Sequence, residues 1–193
     1  EKEGFFNELA VNQNTFQGKN LIKLLKQKKV VWRNVRNKIA DLFDLKNKNY
    51  EINIKEKEIL FKKSDIEMVM PVKIGDYTDF YSSKDHATNV GKMFRDPQNA
   101  LLPNWLHIPV GYHGRASSIV ISGTPVKRPK GQILPKESKQ PIFSESKLLD
   151  FELEMGFITG EGNKLGSNIS IENAEDYIFG LCLFNDWSAR DIQ

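Results

Sequence analysis

From Leu149 to Met155 apolar and acidic residues alternate without exception: Leu149, Phe151, Leu153 and Met155 are separated by Asp150, Glu152 and Glu154. Successive side chains of a strand point to opposite faces, so a strand here carries an oily face and a face of three carboxylates. Alternation alone fits a half-buried strand with a solvated acidic face. A second segment favours chemistry. Ile178-Phe179-Gly180-Leu181-Cys182-Leu183-Phe184 does not alternate, has strand length, and reads as a central strand covered on both faces, with Cys182 packed as a small hydrophobe. It ends in Asn185-Asp186, which puts a carboxylate at the rim of a sheet. Beyond it, Ser188-Ala189-Arg190-Asp191 has the form of a capping box, so Arg190 and Gln193 are expected in the first turns of a helix leaving that rim.

Upstream, Val31, Trp32, Val35, Ile39, Leu42 and Phe43 form one apolar stripe at helical spacing. Tyr50, Ile52 and Ile54 alternate with polar residues and predict a short strand. Near Glu67-Met68-Val69-Met70-Pro71 lysine thins out, glycine and proline become frequent, and all three histidines lie beyond. A domain boundary is expected there, with Leu101 to Gln132 built from loops and short strands.

The 193 residues are 39% hydrophobic and 27% charged, enough apolar material for one substantial core or two modest ones. No apolar run approaches the ~20 residues of a membrane helix. The net charge of +3 hides an asymmetry: residues 19 to 63 hold 14 Lys/Arg against five Asp/Glu, or +9, which leaves −6 elsewhere. Without interleaved aromatics or zinc-finger spacing, that block reads as solvated surface, and neither nucleic acid nor membrane is an expected partner. The single cysteine excludes an intrachain disulfide and fits a reducing, cytoplasmic compartment.

A third dense cluster runs from Gly75 to His86, with Asp76, Tyr77, Asp79, Tyr81 and Asp85 between them. Ser82 and Asp85 are candidate caps that would put His86 in the first turn of a helix. The strings Ile74 to Ser83, His86 to Gly91, Leu101 to His107, Pro109 to Ser118 and Asn185 to Gln193, taken in this order, resemble the fumarylacetoacetate hydrolase family. The resemblance is dense from Lys73 onward and thin before it. By matching position it implies that Asp79, Glu152, Glu154 and Asp186 bind a metal and that His86 is the general base. It further implies that Tyr81, Arg95, Tyr112, Arg190 and Gln193 meet the substrate or its developing charge. An all-oxygen carboxylate set suits Mg²⁺ or Ca²⁺ and not zinc. Asp76 and Asp150 are left to supporting roles, and His107 and His113 to structural ones.

The resemblance implies an α+β, β-rich fold. Residues 1–70 would be the later part of a small SH3-like N-terminal domain, and residues 71–193 the first part of a mixed β-sandwich roll. It also implies a homodimer and cleavage of 4-fumarylacetoacetate to fumarate and acetoacetate in tyrosine and phenylalanine catabolism. Family members supply a further glutamate, lysine and threonine from positions downstream of Gln193, so the 193 residues alone are expected to be inactive. Other chemistries built on the same carboxylates, acylpyruvate hydrolysis or decarboxylation, and a non-catalytic metal-binding module are the competing classes.

Overall fold

The computed structural model describes residues 4–12, 14–48, 50 and 59–193. In chain order the elements are helices α1 (Ile22–Leu25) and α2 (Lys29–Leu42), strand β1 (Thr78–Tyr81), helix α3 (Lys84–Phe94), and strands β2 (Val110–His113), β3 (Lys130–Ile133) and β4 (Ile142–Glu145). Strands β5 (Leu149–Asp150), β6 (Leu153–Thr159), β7 (Ile178–Asn185) and β8 (Ser188–Ala189) follow. Among the described residues the strands form four antiparallel pairs, β1–β2, β3–β4, β5–β8 and β6–β7, which gives a mixed helix and strand fold. No helix of the described residues is long and apolar enough to cross a membrane. The chain divides into two compact units, residues 1–71 with 123–193, and residues 72–122.

In the first unit, α2 spans the stripe read from the sequence and buries Trp32, Val35 and Leu42. Leu24, Trp32 and Val35 form the core, with Phe6, Phe16 and Phe179 packed against them. The Trp32 indole donates its N–H to the Leu24 carbonyl at 2.7 Å and meets Phe179 of β7 edge-on, with ring centroids 5.3 Å apart, a favoured aromatic geometry. Gly160 lies beneath that indole, and a Cβ there would sit 2.5 Å from Trp32 Cη2. Lys29 at the start of α2 pairs with Asp176 at 3.1 Å. The strand expected over 50–54 falls outside the described residues except for Tyr50, whose N–H donates to the Asn47 carbonyl.

Three expectations change. Strand β7 has β6 on one edge and no second strand among the described residues, and Leu181 (67%) and Leu183 (74%) are exposed, as is Cys182. A doubly apolar run records what a strand tolerates on its faces, not what lies against them. Ser188 begins no helix: it lies in β8, and residues 190–192 make a single turn closed by the N–H groups of Ile192 and Gln193 donating to the Ala189 carbonyl. The Ser188 hydroxyl, instead of capping, donates to Glu152 at 3.2 Å. In the second unit the cap of α3 is Ser83, one residue later than Ser82, and its hydroxyl accepts from the His86 N–H. Pairing of β1 with β2 sets Asp79 opposite Tyr112 and Tyr81 opposite Val110. Helix α3 comes so close to the turn after it that a Cβ on Gly91 would meet the Ala100 carbonyl oxygen at 2.0 Å.

Candidate metal centre and its acidic face

Strands β5 and β6 are two pieces of one ladder. Leu149 pairs with Ala189, Asp150 with Ser188, and Leu153 with Asn185. In the gap between, Glu152 and Asp186 exchange both backbone bonds, at 3.1 and 3.0 Å. The register therefore runs unbroken, and the Arg190 N–H donates to the Leu148 carbonyl one step beyond it. The period of two then sets one face. Asp150, Glu152 and Glu154 on one strand share it with Asp186, Ser188 and Arg190 on the other. The sequence shows the alternation; the register supplies Arg190 and Ser188.

A carboxylate oxygen of Glu154 and one of Asp186 lie within 4.8 Å of each other, both side chains part-buried. Oxygens bound to one Mg²⁺ or Ca²⁺ at about 2.0–2.6 Å from it can be about 4–5 Å apart. The pair thus fits a hard cation in both donor type and spacing. Glu152 is engaged differently: its Oε1 takes the Arg190 guanidinium at 2.6 Å as well as the Ser188 hydroxyl. Asp150 Oδ2 accepts from Arg190 Nε and Nη2 at 3.3 and 3.2 Å, and Gln193 Oε1 accepts from Arg190 Nη1 at 3.2 Å. Desolvation pulls against the charge of Arg190, but Glu152 and then Asp150 outweigh it and raise its pKa above the ordinary value. Arg190 and Gln193 are thus neighbours, with Asp150 holding the guanidinium to the acidic face. The same parity that gives Glu152 also gives Asp150 and Ser188, the one signal in the sequence for their part.

In the second unit, the register that sets Asp79 opposite Tyr112 lets the Tyr112 hydroxyl donate to Asp79 Oδ2 at 2.6 Å. His86 is exposed in the first turn of α3, with its ring 5.2 Å from that of Tyr81. Tyr81 and Arg95 line one small cavity with Ala87, Leu101, Trp105 and Val110. Arg95 is held there by donating to the Ala100 carbonyl at 3.1 Å. His113 faces Asp76 at 3.6 Å on the surface. His107 Nα donates to the Asn104 carbonyl within a short turn.

A carboxylate-lined sheet face of this kind offers oxygen donors of the type a hard cation takes. The chain belongs to the fumarylacetoacetate hydrolase family: the family's C-terminal domain, described as fumarylacetoacetate (FAA) hydrolase C-terminal, matches residues 76–193, and its fumarylacetoacetase N-terminal domain matches residues 1–71. Among its relatives are the fumarylacetoacetases of Bos taurus, 50% identical over 186 residues, and of Homo sapiens, 49% identical over 186, each alignment covering 96% of this chain and 44% of the relative. That of Dictyostelium discoideum is 54% identical over 191 residues, covering 97% of this chain and 45% of the relative. The chain therefore spans less than half the length of these relatives.

Proposed function

We propose that the protein carrying this sequence is a metal-dependent hydrolase that cleaves 4-fumarylacetoacetate to fumarate and acetoacetate, a step of tyrosine and phenylalanine catabolism. The observation that carries this reading is the paired carboxylates of Glu154 and Asp186 on one sheet face, in a chain that shares half its residues with fumarylacetoacetases. Asp79, Glu152, Glu154 and Asp186 would hold the cation, Mg²⁺ or Ca²⁺. When bound, it would supply positive charge that stabilises negative charge developing on substrate oxygen.

His86 takes a proton from water as the water oxygen adds to one carbonyl carbon. The carbon-carbon bond then breaks with its electron pair on the departing carbon, which leaves as an enolate and is reprotonated to the ketone. Negative charge grows on oxygen in both steps. Arg190 and Gln193 offer N–H donors toward it, while Tyr81, Arg95 and Tyr112 orient the substrate. The setting we assign is a cytoplasmic homodimer in which residues 1–70 close an SH3-like domain and residues 71–193 open a β-sandwich roll.

The test is product analysis. Incubation with 4-fumarylacetoacetate and Mg²⁺ or Ca²⁺ is expected to yield fumarate and acetoacetate in equal amounts, and chelation is expected to stop it. Turnover of acylpyruvates or release of CO₂ in place of these products would reject the reading.

A further inference from the structure

We propose that Asp191 is a positioning residue that aims Arg190 and Gln193 across the acidic face. This rests on the role given above to Arg190. The Asp191 carboxylate is bonded to Ser146 and Lys147, at the start of the strand, and not to the carboxylates of that face. Its Oδ1 accepts from the Ser146 hydroxyl at 2.6 Å and its Oδ2 from the Lys147 backbone N–H at 2.7 Å. Both bonds are short and charge-assisted, the stronger class of hydrogen bond. Ser146 is itself fixed: its side chain is fully buried, its N–H donates to the Pro129 carbonyl, and its own carbonyl accepts from Arg128 Nη1 at 2.8 Å.

The lock sits one residue from the bond between the Arg190 N–H and the Leu148 carbonyl, the last rung of the ladder. With the backbone of Lys147 tied to Asp191 and that of Leu148 tied to Arg190, the 190–193 turn has one orientation on the strand. From it the Arg190 guanidinium reaches Asp150, Glu152 and Gln193 together. Without the clamp the turn would lose its side-chain anchor at the Ser146–Lys147 end, and the Arg190 guanidinium, on a long side chain, would lose the shared geometry of its three acceptors. The hydrogen bonds that Asp191 accepts also lower its pKa, the Ser146 hydroxyl most of all, which keeps the double acceptor charged.

Two measurements test this. The first reads Arg190 directly through its Nε–H resonance, assigned by its loss in Arg190→Lys, and needs no turnover. Asp191→Asn keeps an acceptor for Ser146 but sets an amide donor against the Lys147 N–H, and Ser146→Ala removes one donor only. Both are expected to shift or broaden that resonance while the rest of the spectrum stays native. An unchanged resonance in both variants overturns the proposal.

The second is a double-mutant cycle on kcat/KM. Asp191→Asn is expected to cost about 10- to 100-fold, the range for partners that hold a functional side chain in place, with the loss in kcat rather than KM. In an Arg190→Ala background the same change should cost little, because the two residues act as a unit. Equal losses in both backgrounds would show a structural role only and overturn it. If Arg190→Ala leaves kcat/KM unchanged, the catalytic reading of Arg190 fails, while the resonance still decides whether Asp191 positions it.

Discussion

At the scale of single residues, the acidic face shows how little separates a charge network from a site. Glu152 and Glu154 are two residues apart on one strand, yet Glu152 faces Arg190 while Glu154 faces Asp186. The alternation was legible because it is local. Which residues lie opposite was not, since Glu152 meets Arg190, 38 positions away, and nothing near it in sequence encodes that distance. For the same reason Ser188-Ala189-Arg190-Asp191 reads equally well as a helix start and as a strand leading into a turn; only the partners, Glu152 for Ser188 and Ser146 for Asp191, decide. His86→Ala is expected to leave cation binding by calorimetry near wild type and cut turnover by about 10² to 10⁴, the usual value of a positioned general base. Loss of binding, or near-full turnover, would remove His86 from that role. Asp191 has a depressed pKa in the fold, so its contribution to stability is present above the unfolded value of about 3.9 and fades as pH falls through the folded one. The difference in melting temperature between wild type and Asp191→Asn should therefore narrow below about pH 4 and stay constant through neutrality.

Elements are tied together in the first unit by the contact of α2 with β7, made by Trp32 on Phe179 and floored by Gly160. The helix itself was legible, because a 3.6-residue period is written in consecutive turns; its partner was not, because Phe179 belongs to a strand far along the chain. Close packing makes Gly160 a sensitive position. A methyl group there would lie 2.5 Å from Trp32 Cη2 and 2.9 Å from the Leu25 carbonyl oxygen, whereas one on Gly162 would meet nothing within 4 Å. Gly160→Ala is expected to destabilise by about 1–3 kcal/mol, the cost of overpacking, and Gly162→Ala to stay within about 0.5 kcal/mol of wild type. Denaturant midpoints measure both. Equal midpoints for the two variants would mean that the indole yields freely and that the contact is loose.

For the whole molecule, the paired carboxylates proposed as cation ligands would set stability against function. Glu154 and Asp186 bring like charges within 4.8 Å, a repulsion that a bound cation would convert to attraction. Sites of this kind are held at a cost to the fold. Glu154→Gln and Asp186→Asn are therefore expected to melt at or above the wild-type temperature in chelator. With Mg²⁺ or Ca²⁺ the order should reverse. A cation at about 100 times its dissociation constant adds about 2.7 kcal/mol to the form that binds it, and each variant should lose most of that gain together with turnover. The same pattern in Asp79→Asn would bring Asp79 into the ligand set by an observation independent of geometry. Differential scanning calorimetry with and without cation distinguishes the outcomes. If neither ion moves the wild-type transition, or if the variants already melt lower in chelator, the carboxylates serve the fold and not a metal.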